Sequence, residues 1–162
     1  LVPIASEYNV GTAGLSSDGQ KMLIFIGGVS DPGSLFQITK SGDAWSKPSL
    51  ISPTVNTPTF LESTASITPD GKTIYFASDR KGGFGGMDIY RTQMTSTGTW
   101  SPAVNLGPEI NTKADEDAPF IHPDQKTLFF TSNGHTSMGG RDIFVTKLLK
   151  GKWSPPENMG YP

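Results

Sequence analysis

Three short segments of the chain are apolar at every position: Leu23-Ile24-Phe25-Ile26, Ile74-Tyr75-Phe76-Ala77 and Leu128-Phe129-Phe130. A strand in a sheet with one wet face alternates polar and apolar residues. These segments do not alternate, so they predict small sheets covered on both faces. Around each lie further runs rich in β-branched and aromatic residues, bounded by Gly, Pro, Asp and Ser, the pattern of strands joined by turns. The predicted strands are 12–16, 22–26, 35–40 and 45–51, then 63–68, 73–78, 88–92 and 100–106, then 118–122, 127–132, 142–147 and 153–159. No window shows a 3.6-residue apolar period, so no helix is predicted.

The strands fall into three repeated units. Trp45, Trp100 and Trp153 are spaced 55 and 53 residues apart, and each is followed by Ser and then, at once or one residue on, Pro. The turns Ser17-Asp18-Gly19, Pro69-Asp70-Gly71 and Pro123-Asp124-Gln125 repeat at spacings of 52 and 54. Gly86-Met87-Asp88-Ile89-Tyr90 is echoed by Gly140-Arg141-Asp142-Ile143-Phe144, and more faintly by Ser34-Leu35-Phe36. A fixed period of this length marks a repeat architecture. Four antiparallel strands per unit, each sheet sandwiched by its neighbours, describe a β-propeller blade. The fold expected is all-β: a propeller segment of three four-stranded blades, approximately 1–53, 54–107 and 108–162. Each tryptophan is expected to begin the outermost strand and to cap the gap between blades.

Composition narrows the function classes. The net charge is −2 and no basic run appears, so the electrostatic footprint of a nucleic-acid binder is missing. No stretch of 18 apolar residues predicts a membrane-inserted helix. The 19 glycines and 13 prolines, set between regular apolar runs, read as tight turns rather than disorder. The absence of cysteine excludes disulfides and thiolate metal sites. The chain starts at Leu1 rather than Met, which reads as a mature or excised piece.

The text from Pro69 to Arg80, Pro-Asp-Gly-Lys-Thr-Ile-Tyr-Phe-Ala-Ser-Asp-Arg, resembles the bacterial TolB-type propeller repeat, a WD-like repeat with a Pro-Asp turn. Asn105 to Thr112, with Asp115-Glu116 and Pro119 to Asp124, resembles a branch found in envelope proteins of the Bacteroidetes, often joined to OmpA-like peptidoglycan-binding domains. The resemblance spans all three units and implies a periplasmic or envelope-associated binding module. Unit one departs from it: Ser17 replaces the turn proline, Ser34 the strand aspartate, and its second-to-third strand loop is short. Gln125 replaces the turn glycine of unit three.

Propellers typically have four to eight blades, so three cannot close a ring. An open arc leaves broad apolar faces wet. Either further blades complete the ring, or two copies pair head-to-tail as a homodimer of six blades. The repeat is expected to begin near Ile4, by analogy with Ile110.

In an up-and-down meander the loops entering each first strand share an end with the second-to-third strand loops. That end collects the candidate ligand-binding residues Glu62, Asp79, Arg80, Asp115, Glu116, Asn133, His135 and Arg141. Glu62 and Glu116, each eight residues before the turn Asp, are expected to face the central pore, with Val10 in their place in unit one. His135 has no counterpart in the other units. His122, aligned with Thr68 and Ser16, reads as a turn-flanking residue. Asp88 and Asp142 are expected to tie strand starts to nearby amides, and Arg80 to pair with a carboxylate such as Asp88. Asp115-Glu116-Asp117 offers oxygen ligands to a hard cation but lacks EF-hand spacing. Gly82 to Gly86 opens no helix and is no phosphate cradle. No cofactor is predicted.

The leading reading is a non-catalytic binding or scaffolding propeller of the cell envelope, with a protein or envelope glycan as partner. The alternative is a carbohydrate-active enzyme using Glu62, Glu116 and Asp115 as pore carboxylates. A third is the gating propeller of a peptidase, although no Gly-x-Ser-x-Gly elbow occurs in the chain.

Overall fold

The computed structural model describes residues 8–28 and 32–160. Ile4, where the repeat was expected to begin, lies outside them. Among the described residues every regular element is a strand, and no helix is long and apolar enough to cross a membrane. Three antiparallel sheets follow one another along the chain. The first contains β1 (Asn9–Leu15), β2 (Lys21–Gly27), β3 (Ser34–Ser41), β4 (Ala44–Trp45) and β5 (Ser49–Leu50). The second contains β6 (Glu62–Ile67), β7 (Thr73–Ser78), β8 (Asp88–Gln93) and β9 (Val104–Asn105). The third contains β10 (Glu116–Ile121), β11 (Thr127–Ser132), β12 (Asp142–Leu149), β13 (Lys152–Trp153) and β14 (Glu157–Asn158). In each, the first four strands pair in sequence order, as meandering blades of a partial β-propeller do, while β5 and β14 pair back on β3 and β12.

The two-faced strands explain where the core lies. Successive side chains of β7 point to opposite faces, and both faces are covered. Ile74 and Phe76 pack with Leu23, Leu35, Ile51 and Val55 in the seam between the first and second sheets. Tyr75, between them, packs with Ile89, Leu128, Phe130 and Phe144 in the seam between the second and third. The hydrophobic core is thus two seams rather than one interior. The tryptophans close these seams from outside, as expected. Trp100 lies against the first cluster, and Trp153 meets Tyr75 edge-on at 6.1 Å across the second.

The fourth strand is interrupted, where the sequence predicted it continuous. Pairing holds near the tryptophan (Lys40↔Trp45, Met94↔Trp100, Leu148↔Trp153) and resumes at β5, β9 and β14. Between them stand Pro48, Pro102 and Pro155-Pro156, which lack the N–H a ladder needs. The preceding serine repairs the gap. Ser46, Ser101 and Ser154 donate their amides to Thr39, Gln93 and Lys147, and their hydroxyls accept the amides of the same three residues at 3.0–3.1 Å. The repeated Trp-Ser-(x)-Pro text therefore encodes a strand bend with its hydrogen bonds made up by a side chain.

An asparagine clips each sheet to the chain that starts the next. Asn56 accepts the Leu35 amide at 2.7 Å and donates to the Leu35 carbonyl at 2.9 Å. Asn111 does the same for Ile89, at 2.7 and 2.9 Å. Both asparagines are buried, so these bonds satisfy backbone groups that water cannot reach.

The Asp turns close the opposite end. Asp18 accepts Ser16 Oγ and the Gln20 amide, Asp70 accepts Thr68 Oγ1 and the Lys72 amide, and Asp124 accepts the Lys126 and Thr127 amides. The side-chain bonds to Ser16 and Thr68 hold the first two carboxyls below their ordinary range, and the Lys126 amide does so for Asp124. His122 supplies its Nδ1 where the other units use a hydroxyl, accepting the Asp124 amide at 3.2 Å. The following residue is left-handed in all three: Gly19 and Gly71 at φ 66°, and Gln125 at φ 59°.

The first strands line a hub. β1, β6 and β10 border a concave groove of about 400 Å³, with Ala13, Gly14, Thr64, Ala65, Ala118 and Pro119 on its wall. Gly14 is required by close approach, since a Cβ there would stand 2.7 Å from the Ala65 carbonyl oxygen.

Two outcomes follow from this construction. Gln125→Gly is expected to stabilise the fold by about 0.5–1 kcal/mol, the relief of a left-handed non-glycine residue less the entropy glycine adds to the unfolded chain. Asn111→Ala is expected to cost about 1–3 kcal/mol by stranding the Ile89 amide, since the Ile89 carbonyl keeps the Leu106 amide. Denaturant unfolding measures both.

Candidate functional site

The end of the arc opposite the Asp turns gathers the loops that the meander predicts together. Leu61 donates its amide to Asp79 Oδ1 at 2.8 Å, and Asp115 donates its amide to Asn133 Oδ1 at 2.9 Å. Gly86 donates to the Ala114 carbonyl, and Met87 to Asp115 Oδ1 at 3.0 Å. Asp79 and Asn133 thus do the same work in successive sheets: each pins the second-strand exit to the chain entering the first strand.

Glu62 and Glu116 do not face the pore. Both are fully buried within the fold. Glu62 accepts the Thr57 amide at 3.2 Å, Thr57 Oγ1 at 3.0 Å, Ser78 Oγ at 3.3 Å and Arg80 Nη2 at 3.1 Å. Glu116 accepts the Thr112 amide, Thr112 Oγ1 and Ser132 Oγ, each at 2.7 Å. Each first strand carries a bulge near its start, between Glu62 and Ala65 and between Asp117 and Phe120. One extra residue shifts the alternation of side chains there. The donors are the Thr57 and Thr112 that directly follow the clip asparagines. Each Asn-Thr pair therefore holds the preceding sheet with one side chain and the following sheet with the next. The text Asn-Thr, then Glu, then Ser 16 residues later, occurs in units two and three and is the sequence signal that would have revealed this framework.

Arg80 pairs with Glu62, not Asp88. Its guanidinium also donates to the Val55 carbonyl and to Ser78 Oγ, and lies 4.9 Å from the ring centres of both Phe76 and Tyr90. Burial raises the Glu62 carboxyl above its ordinary range, against the lowering by Thr57 and Arg80; burial likewise lowers Arg80. His135 does have a counterpart, and it is Arg80. Its Nε2 meets the Ile110 carbonyl at 2.8 Å, where Arg80 meets Val55. Its ring sits 5.8 and 5.2 Å from Phe130 and Phe144, the equivalents of Phe76 and Tyr90.

Asp88 caps the glycine loop as expected, accepting the Phe84 and Gly85 amides and the Asn105 side chain. Gly83 is needed there, because a Cβ would overlap Asp88 Oδ2. Asp142 repeats the role with the Met138 amide and Asn158.

The acidic triplet is divided. Glu116 turns inward, while Asp115 and Asp117 turn outward onto Arg141, which bridges them at 3.0 and 3.3 Å. Asp117 also reaches the second sheet, accepting Thr64 Oγ1 at 2.6 Å and Ser63 Oγ at 3.3 Å. Among the described residues no group of three or more His, Asp or Glu is placed to hold a metal. Strand alternation separates Glu116 from its neighbours, and Arg141 lies against both outer carboxylates.

No family model matches the chain, and no curated protein matches it in sequence. Solved structures do. Putative TolB from Agrobacterium tumefaciens superposes with a TM-score of 0.65 at 16% identity, over 96% of this chain and 50% of that one. TolB from Acinetobacter baumannii gives 0.61 at 16% identity, over 94% and 33%. A hypothetical selenium-binding protein from Sulfolobus tokodaii gives 0.54 at 13% identity, over 93% and 41%. The chain spans half the length of the first of these structures. The likeness is one of fold: the chain is a TolB-like partial β-propeller.

Removing the cation from the buried pair gives a signed outcome. Arg80→Leu leaves Glu62 buried without a counter-charge and is expected to cost about 3–5 kcal/mol at neutral pH. The Glu62 pKa is already raised and rises further without Arg80, so the penalty belongs to the ionised form. The deficit should be largest at neutral pH and shrink as the solution is acidified toward the raised value. Urea unfolding of both proteins at pH 7 and pH 5 reads the difference; a deficit that grows on acidification contradicts the assignment.

Proposed function

We propose that the chain is a non-catalytic binding and scaffolding propeller of the bacterial cell envelope, which holds a protein or envelope glycan on its loop face. The observation that carries the reading is the division of labour among the charged residues. Glu62, Arg80, Glu116 and His135 are committed to the framework. The outward-facing Asp79, Asp115, Asp117, Asn133 and Arg141 straddle the second and third sheets and present both charge signs on a rigid base. Such a surface gives orientation and specificity to a partner rather than chemistry. The blades of this reading are 1–53, 54–107 and 108–162.

The envelope setting is supported by the Pro-Asp-Gly repeat text, by its resemblance to Bacteroidetes proteins with OmpA-like domains, and by TolB neighbours in fold. A periplasmic location follows from the same resemblance. The carbohydrate-active alternative requires two carboxylates that reach the sugar, and Glu62 and Glu116 are closed off by four and three hydrogen bonds respectively.

The test uses the immobilised chain as bait against solubilised envelope proteins and against purified peptidoglycan, with Arg141→Glu alongside. Arg141→Glu is expected to weaken capture at least tenfold, while Lys126→Glu at the opposite end leaves it unchanged. Equal loss with both variants, or reducing ends released from a polysaccharide panel, would overturn the reading.

A further inference from the structure

The two faces at the ends of the arc carry, position for position, the two halves of the seams inside it. The cross-strand pairs fix the equivalences. Ile24 faces Phe36, Phe76 faces Tyr90 and Phe130 faces Phe144; Phe25 faces Leu35, Ala77 faces Ile89 and Thr131 faces Ile143. Each inner seam therefore has a leading half and a trailing half. In the leading half stand the residue five after the turn Asp and the first apolar residue of the third strand: Leu23 and Leu35 in one seam, Tyr75 and Ile89 in the other. In the trailing half stand a first-strand isoleucine, two alternate second-strand residues, an aromatic of the third strand and the tryptophan. These are Ile67, Ile74, Phe76, Tyr90 and Trp100, then Ile121, Leu128, Phe130, Phe144 and Trp153.

The third sheet repeats the leading half on its open face with Phe129 and Ile143, and Ile143 is 54% exposed. The first sheet repeats the trailing half on its open face with Leu15, Met22, Ile24, Phe36 and Trp45, of which Ile24 is already buried and Leu15 is 56% exposed. Every position is apolar, as in the covered seams. Phe120 departs from the pattern, standing where the first and second sheets carry Gly14 and Ser66. Its ring lies on Phe129 at 6.2 Å, and the stretch it would meet, Ala13-Gly14-Leu15, carries two of the smallest side chains.

We propose that the third sheet of one chain seats on the first sheet of a second copy, and that two such contacts close a six-bladed ring with twofold symmetry. The contact is head-to-tail, and it closes because the turn from sheet to sheet continues through it. The tryptophan contact sets the register. Trp153 meets Tyr75 across an inner seam, so Trp45 of one copy meets Phe129 of the other. This inference stands on the sheet faces alone and is independent of what the loop face binds.

Sedimentation equilibrium of the 162-residue chain across a hundredfold concentration range tests it. The expected mass is twice the 17.3 kDa of one chain. Ile143→Asp changes a residue that is exposed in the single chain, so it should keep the circular dichroism spectrum and halve the mass. Because the protein has no cysteine, Trp45→Cys and Phe129→Cys give a clean register test: mixed and treated with a short bis-maleimide that spans the volume of the two lost rings, they should form a covalent dimer that neither forms alone. A folded wild-type chain of 17.3 kDa at every concentration would overturn the proposal. So would a mass that climbs without limit, a dimer that survives Ile143→Asp, or the absence of the mixed cross-link.

Discussion

The structure depends on one constraint: a sheet that is apolar on both faces cannot be left with either face in water. Burial of apolar area is the main favourable term in folding. Here it can be realised only between sheets, because each sheet is too thin to have an interior. Phe76 and Tyr75 are adjacent in sequence and fully covered, yet they belong to different seams. The repeat period, the meander and the shared hub all follow from stacking units whose two faces are complementary. The polar framework is secondary to this, but it sets the spacing. The Asn-Thr pairs clip one sheet to the next at buried backbone groups, and the small wall of the hub, with Gly14 against Ala65, lets the first strands converge.

Much of this was legible in the residues. The two-faced second strands, the Asp turns and the tryptophan period are written in local text, and each corresponds to a strand, a turn or a seam contact in the fold. The place of His122 beside the turn was also readable from its alignment with Ser16 and Thr68, although its Nδ1 accepts the Asp124 amide where the hydroxyls accept the amides of Lys21 and Thr73. What was hidden depended on side-chain partners. Glu62 and Glu116 read as pore acids because the first strands line the axis, but both carboxylates are taken up by the Thr and Ser hydroxyls, and in one case the arginine, of the chain around them. None of those donors adjoins its glutamate in sequence, so the framework role was not legible from neighbouring residues. The fourth strand was read as continuous although Pro48, Pro102 and Pro155 interrupt its ladder, and the serine that bridges the break was not recognisable without the backbone it bonds to.

Arg80 and His135 show why equivalence could not be read from residue type. The task at that place is geometric: donate to the carbonyl of residue 55 or 110 and cover a stacked aromatic pair. Phe76 and Tyr90 lie 5.9 Å apart with a 26° tilt, and Phe130 and Phe144 repeat the same geometry. A flat side chain with an N–H in its plane meets both demands, so guanidinium and imidazole are interchangeable there. The carboxylate beneath differs in consequence. Glu62 has an arginine within 3.1 Å, whereas Glu116 is held by three shorter neutral donors.

The first sheet extends the same logic by subtraction. It has Val10 at the glutamate position, Ser34 at the position of Asp88 and Asp142, and Leu50 opposite Phe36, where the other sheets place Asn105 and Asn158 opposite Tyr90 and Phe144. The Asp and Asn that bond each other in the second and third sheets are both absent in the first. That is the outcome expected when an unsatisfied polar group costs more than the pair contributes: a partner left alone would be a penalty, so the two are present together or missing together. The shorter loop between β2 and β3 fits this, since there is no aspartate for a glycine loop to wrap. The first sheet thus keeps the apolar positions, the Asp turn and the serine-bridged bend, and lacks the Glu, Asp and Asn of the loop end. It is held by its seam with the second sheet and by the Asn56 clip on Leu35, so the apolar sheet faces and these local bonds, rather than the loop-end polar pairs, are what all three units share.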